Sequence, residues 1–350
     1  MPPPIGMRLT LGLEWDKIQA ARPKVAGAHH RKGRLDMEVL ILSQDDVKQL
    51  LDLDALLDRL AAGFMALSAG QVTAPPRNEV TVPAGFFLGM PAHLAGDNIA
   101  MKMVSVFHDN RRLGLPGHQA LICLFDPDTG STRAVMDGTY ITAIRTAGAA
   151  AVSARLLARP DARTLAIIGA GAQGEAHLRL LPRVRDFQEI RVASLDWADA
   201  QRLAALDPRA VALESFQAAV QGADVVCLCT TASQPVVASD WLAPGAHLTS
   251  VGYMPPGGEL AREIAQQGHL FVETRLAFAP TPVGCGELAG LDPALGTELG
   301  EALLGRRPGR QSVDELTVYK SMGHAMEDMV AANLVYKHAR QSGVGQMVKL

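Results

Sequence analysis

Cysteine is scarce, four residues in 350, and no pair of them has C-x-x-C spacing. That excludes a disulfide framework. Cys227 and Cys229 form C-x-C inside an apolar run, and H-E-x-x-H does not occur, so no metal site of recognisable spacing is offered. Aromatic residues make up only 5%, too few for base-stacking platforms. Neither sign of charge dominates: 33 Lys and Arg stand against 36 Asp and Glu, a formal net charge of −3. This excludes the large basic excess of many nucleic-acid binders, though not a local basic patch. No uninterrupted apolar run approaches the roughly 18 residues that span a bilayer, and the first 36 residues hold no apolar segment of the secretory-signal kind. These absences predict a soluble, cytoplasmic protein without nucleic-acid or membrane partners.

What is present suits a globular chain: 48% hydrophobic and 20% charged residues, and enough length for two domains at roughly 100–200 residues each. Residues 1–36 carry Pro, Gly, His and Arg without period and read as a disordered extension. From Met37 the pattern becomes regular. EVLIL (38–42) predicts a strand, and Ser43 a helix cap with acids in the first turn. Leucines at 50, 53, 56, 57 and 60 predict one helix running to Leu67. Short strand-like runs follow: EVTV, GFFLGM, IAMKMVSVF and ALICLFD, the last joined to STRAVM through the turn DPDTG. This half reads as an antiparallel sheet with a leading helix. Residues 141–158 are Ala-rich and helical, ended by Arg159-Pro160. Beyond them TLAIIG, EIRVAS, DVVCLCT, HLTSVG and HLFVET alternate with helical stretches, which predicts a parallel sheet with right-handed crossovers. ELTVY (315–319) and a helix over 322–341 close the pattern.

The strand TLAIIG runs directly into G-A-G-A-Q-G, residues 169–174, and a helix follows. Gly169 permits the tight turn, Gly171 lets the backbone approach a pyrophosphate, and Gly174 lets helix and strand pack closely. The helix N-terminus offers amide donors and a positive dipole to phosphate. A lone G-x-G-x-x-G is weak evidence; at a strand-to-helix junction opening a β/α series it predicts a dinucleotide site. The acid that binds the ribose of NAD is expected about 20 residues on. Ser194 stands there and Asp196 falls two residues late; a serine would not repel a 2′-phosphate, yet no arginine follows directly to pair with one, so NAD and NADP both remain open.

Lys102, in the apolar strand I-A-M-K-M-V, reads on its own as a solvent-facing strand lysine, and Arg77 and Arg145 as exposed arginines. Their combination with other motifs says more. K-x-V near 102, L-P-G-H-Q (115–119), M-D-G-x-x-I-T-x-x-R-T-A (136–147), L-A-R-P (157–160), I-G-A-G-A-Q (168–173), V-G-Y-x-P-P-G-x-E-L (251–260), G-E-L (286–288) and K-S-M-G-H-A-M-E-D (320–328) come in one order. That order resembles the ornithine cyclodeaminase/mu-crystallin family over about residues 38–345. The resemblance implies an α/β fold: a Rossmann-type NAD(P)-binding domain over 159–314 and a mixed α+β substrate-binding and dimerisation domain from 37–158 and 315–350, hence a homodimer. It implies that Arg77 and Lys102 hold the substrate carboxylate, with Lys102 beside the reacting carbon as catalytic group. Arg145 and Thr146 would reach the cofactor phosphates and the substrate edge. Ala172 and Gln173 would contact the cofactor from the glycine loop, Thr230 or Thr231 from a strand end, and Val251, Gly252 and Tyr253 near the nicotinamide. Ser321 and Met322 would touch cofactor and substrate.

The residue types suit an α-imino or α-amino acid. Arginine grips a carboxylate with two hydrogen bonds, and a buried lysine can exchange a proton if its pKa is lowered. Two departures matter. Met254 stands where the cyclodeaminase branch keeps an aspartate, and Gly117 stands where the family often has threonine or serine. The expected function is therefore an NAD(P)-dependent oxidoreductase acting on a CH–NH/C=N bond beside a carboxylate, with a cyclic imine such as pyrroline- or piperideine-2-carboxylate as substrate. Ornithine cyclodeamination, alanine-type dehydrogenation and non-catalytic NADP binding are the alternatives. Glu287, His118 and the other histidines carry no assigned role.

Overall fold

The computed structural model describes residues 38–350, so the expected N-terminal extension lies outside the described residues. The first half of the chain forms β1 (Glu38–Leu42), α1 (Gln44–Leu50), α2 (Leu53–Ser68), β2 (Val72–Thr73), β3 (Asn78–Val82), β4 (Gly85–Leu94), β5 (Ile99–Val106), β6 (His118–Phe125), β7 (Thr132–Asp137) and α3 (Thr139–Leu157). The second half adds β8 (Thr164–Ile168), α4 (Ala172–Leu180), β9 (Glu189–Ala193), α5 (Trp197–Ala204), β10 (Ala210–Ala212), α6 (Phe216–Val220), β11 (Val225–Leu228) and β12 (His247–Ser250). It continues through α7 (Arg262–Gln267), β13 (His269–Val272), β14 (Gly296–Glu298), α8 (Leu299–Leu303), β15 (Thr317–Lys320), α9 (Ala325–Ser342) and β16 (Gln346–Lys349).

Two eight-stranded sheets result. The first runs β16-β1-β7-β6-β5-β4-β2, with β3 also on β4; only the β1–β7 pair is parallel. The second runs β10-β9-β8-β11-β12-β15-β13-β14 and is parallel throughout. From β8 the chain winds first to β9 and β10, then crosses back to β11 and β12. The order therefore reverses beside β8, the switch point where doubly wound sheets open a crevice at their strand ends.

Two expectations shift. The leucine period that predicts one helix to Leu67 is split after Leu50, because the Asp52 carboxylate caps a new helix, accepting the amides of Asp54 at 2.9 Å and Ala55 at 3.1 Å. Both helices turn their leucines to one core, so the period runs on through the break. The segment from 315 was expected with the first layer, but β15 inserts between β12 and β13 of the second sheet. Its four residues are all buried, which is the environment of a central parallel strand.

Between the two sheets lies α3. Of its residues, Ile141 to Ala154 are buried almost continuously, Arg145 and Thr146 included, and only near its end does Arg155 reach solvent. Gly148 lets α2 come close: a Cβ there would lie 2.6 Å from the Leu60 side chain. Helix α9 is likewise buried over most of its length. One hydrophobic core joins these helices to the inner face of the first sheet and one face of the second; a smaller core covers the other face of the second sheet.

Candidate active site

The glycine loop falls at the end of β8. Gly169 has φ +107°, and a Cβ there would lie 2.5 Å from the Cys229 carbonyl oxygen. A Cβ on Gly174 would lie 2.1 Å from the Gly169 carbonyl oxygen, so this glycine is required for helix and strand to meet. A Cβ on Gly171 would meet nothing within 4 Å among the described residues, which leaves an open cradle. Gly171 also caps α4 without any side-chain bond, and Ala172 at the helix start is exposed. The buried Oε1 of Gln173 has no partner among the described residues. An open cradle on a helix N-terminus suits a pyrophosphate.

The far ends of β11 and β12 are tied together by a carboxylate that sequence reasoning passed over. Fully buried Glu259 accepts through Oε2 the amide and hydroxyl of Thr230, at 2.6 and 2.7 Å. Through Oε1 it accepts Ser250 Oγ, the Val251 amide and the Gly252 amide, at 3.0, 3.1 and 2.6 Å. Lys320 continues the network, donating to the Gly252 carbonyl at 2.7 Å and to Glu287 at 2.8 Å. Glu287 is thus half of a buried ion pair. Thr231 is exposed and its side chain bonds to nothing among the described residues. Tyr253 packs edge-on against Phe86, ring centroids 6.5 Å apart.

The turn between β15 and α9 joins this region to the cations. The Ser321 amide donates to the Ser250 carbonyl at 2.8 Å. Its hydroxyl and the amides of Met322 and Gly323 all donate to buried Glu273. From the opposite side, Arg77 Nη2 donates to the Met322 and Gly323 carbonyls at 3.0 and 2.7 Å. Arg145 packs so tightly under this turn that a Cβ on Gly323 would lie 2.6 Å from its Nη1. Arg77, Met90, Glu273, Met322, Gly323 and His324 line a cavity of about 40 Å³.

Lys102 does not face solvent. The alternation of β5 turns Ala100, Lys102 and Val104 inward, and Lys102 is only 2% exposed. Its Nζ donates to Asp328 Oδ1 at 3.0 Å, and Arg145 Nε donates to the same oxygen at 2.9 Å. Arg145 Nη1 reaches Glu327 at 2.9 Å. One carboxylate oxygen therefore bridges two cations, while the buried Oδ2 of Asp328 has no partner among the described residues. Burial, with Arg145 adding to it, outweighs the Asp328 pairing and pulls Lys102 down to about 8. Burial also opposes the Arg145 charge, but Asp328 and Glu327 outweigh it and the guanidinium stays protonated. Burial pushes Glu327 up to about 7. His118 opens β6, and burial beside Lys102 and Arg145 lowers it to about 4. His324 caps α9, its Nδ1 accepting the Met326 amide.

The structure thus brings together Arg77, Lys102, Arg145, Ser321 and Met322, and beside them Thr230, Val251 and Gly252. Thr146 is buried on α3 next to Arg145, and Ser194 follows β9 at the other end of the crevice. Sequence reasoning missed the acids: Glu259, Glu273, Glu327 and Asp328. The available signal was the pair Glu327-Asp328 at the head of an apolar helix, which also fits simple dipole complementarity.

A parallel sheet with a glycine-rich switch point, facing a cluster of buried cations, defines a dinucleotide-dependent enzyme of small molecules. The chain belongs to the ornithine cyclodeaminase/mu-crystallin family, which it matches over residues 37–343. It is 37% identical to the ketimine reductase mu-crystallin of Mus musculus over 304 residues, 84% of this chain and 96% of that protein. It is 30% identical over 326 residues to the alanine dehydrogenase of Archaeoglobus fulgidus, 89% of this chain and 99% of that one. Among solved structures, the Δ1-pyrroline-2-carboxylate reductase of Thermococcus litoralis, in complex with NADH and L-proline, superposes with TM-score 0.84 at 32% identity, covering 89% of this chain and all of that one. The protein is an NAD(P)-dependent oxidoreductase of this family.

Proposed function

We propose that the protein reduces the C=N bond of a small cyclic imine bearing an adjacent carboxylate, a pyrroline- or piperideine-2-carboxylate, to the cyclic amino acid. The carrying observation is the meeting of Arg77, Lys102 and Arg145 around the Ser321–Gly323 turn, with Lys102 lowered to about 8. Arg77 spends one nitrogen on backbone carbonyls and keeps the rest of its fork for the substrate carboxylate. Bound NAD(P)H supplies the hydride for the imine carbon. Lys102 gives the proton for the nitrogen, and a group poised near 8 can do so at neutral pH and be reprotonated afterwards. Asp328 keeps that ammonium aimed, and Arg145 stabilises the carboxylate end and the cofactor phosphates together with Thr146. Gly169, Gly171, Ala172, Gln173 and Gly174 hold the pyrophosphate. Thr230, Val251, Gly252, Tyr253 and Ser321 form the nicotinamide side, and Met322 the substrate wall.

Ornithine cyclisation is disfavoured by the carboxylates themselves. Met254 supplies no base, Glu259, Glu273 and Glu287 are each consumed by buried donors, Glu327 is paired with Arg145, and Asp328, held below the usual carboxylate range against its burial by Arg145 and Lys102, is a poor base. Cytoplasmic location and a homodimer complete the reading. All four cysteines are free, and among the described residues no helix is long and apolar enough to cross a membrane. The outer face of the first sheet carries Phe87 and Leu121, 42% and 50% exposed, with Met103 opposite Leu121 and Met101 opposite Cys123. An apolar sheet face of this kind calls for a partner. Purified protein mixed with 1-pyrroline-2-carboxylate and NADH or NADPH should consume the dihydronicotinamide and yield proline. Failure with both the five- and six-membered imines would defeat the proposal.

A further inference from the structure

Resting on the NAD(P)-dependent reading above, we propose that this chain selects the 2′-phosphorylated nucleotide, and that Arg202 reads the phosphate. Three observations converge at the adenosine end of the crevice. The Gly169 amide donates to the Ala193 carbonyl at 2.8 Å, so Ser194 flanks the glycine loop. A hydroxyl thus occupies the place where a carboxylate would bind a ribose diol and repel a 2′-phosphate. The nearest acid, Asp196, is turned to another task. It caps α5, with Oδ1 accepting the amides of Ala198 at 2.9 Å and Asp199 at 3.4 Å.

The third observation is a cation that the sequence did not reveal at this place. Arg202 sits on α5, eight residues past Ser194, and one turn of helix brings it back over the loop. Its Nη2 donates to the Ala170 carbonyl at 3.0 Å and to Asp199 at 3.1 Å. Its Nε and Nη1 donate to nothing among the described residues, and the side chain is 54% exposed. A guanidinium anchored by one nitrogen to the residue between Gly169 and Gly171 keeps two donors for a phosphate beside the ribose. Charge-assisted, forked bonds of this kind are the strong ones. Arg191 on β9 is committed to the Gln221 carbonyl and to Glu189, and Arg209 beside β10 to Asp207.

The test is equilibrium titration of the full-length protein with NADPH, NADH, 2′,5′-ADP and ADP, followed by fluorescence or calorimetry. NADPH should bind about tenfold or more tightly than NADH, and 2′,5′-ADP should exceed ADP by a similar factor. Arg202→Gln keeps a donor for the Ala170 carbonyl while removing the charge. It should weaken both 2′-phosphorylated ligands by about tenfold and change NADH by less than about twofold. Equal affinity of the unaltered protein for NADH and NADPH would overturn the proposal. So would a variant that weakens both alike, since Arg202 would then only brace the loop. Binding of NADH with indifference to the 2′-phosphate defeats this inference alone, whereas binding of neither nucleotide defeats the NAD(P) reading with it.

Discussion

Lys102 keeps its charge against the cost of burial, and its chemistry follows from that balance. With Asp328 attracting and Arg145 repelling, the ammonium sits near 8, well below an ordinary lysine. Since the protonated form is the donor, reductive kcat/KM should hold below about pH 8 and fall above it, and the oxidative direction should rise there. Lys102→Met should lower reductive kcat/KM by about 10²–10⁴ and flatten that limb; kinetics close to the unaltered enzyme would remove the role. Arg77→Ala should act mainly by raising KM, because its carboxylate grip is made in ground and transition states alike. Met254→Asp tests the other branch: a gain of ornithine-to-proline conversion would show that the missing carboxylate is what blocks it.

At the scale of elements, the phosphate loop separates binding from folding. A side chain at Gly171 enters open space, whereas one at Gly174 meets backbone at 2.1 Å. Gly171→Val should therefore abolish nucleotide binding with little change in Tm, and Gly174→Val should lower Tm by several degrees or prevent folding. Equal effects of the two on Tm would contradict this division. The loop and its flanking strand and helix were legible because the cues are local. TLAIIG and its glycines need only their neighbours to specify a turn. The inward aim of Lys102 was not legible, since alternation fixes two faces of a strand without saying which is buried. The acids were hidden for a related reason. Glu259 and Asp328 are defined by partners 7 to 226 positions away in sequence, and nothing near them marks those partners. The split between α1 and α2 was missed because a cap can interrupt a helix without interrupting its apolar period.

For the molecule as a whole, buried imidazoles set the response to acid. Burial holds His118, His177 and His324 near 4 and His247 near 3. Between about pH 6.5 and 4 the unfolded chain takes up protons at these four sites that the folded chain does not, so stability falls as pH falls. Glu327, raised to about 7, works the other way but is one group against four. Tm should decline steadily below about pH 6.5; a constant Tm from pH 7 to 5 would refute this. Association should be visible at the same scale. Sedimentation should give a dimer, and Leu121→Glu, which places a charge on the exposed apolar sheet face, should shift it towards monomer. An unaltered protein that sediments as a monomer would sink the dimer.

The placement of the last strands has a consequence for how the chain is made. β16 pairs with β1, the first strand, and β15 fills the middle of the second sheet. On a ribosome, the second sheet therefore cannot close until β15 has emerged, and the first lacks its edge strand until β16 follows, although most of both is already synthesised. The nascent chain must carry an open slot between β12 and β13 throughout that interval, with unpaired strand edges exposed to aggregation. Folding of such a topology is dominated by pairings distant in sequence and is intrinsically slow, so the interval is one in which a chaperone has something to hold.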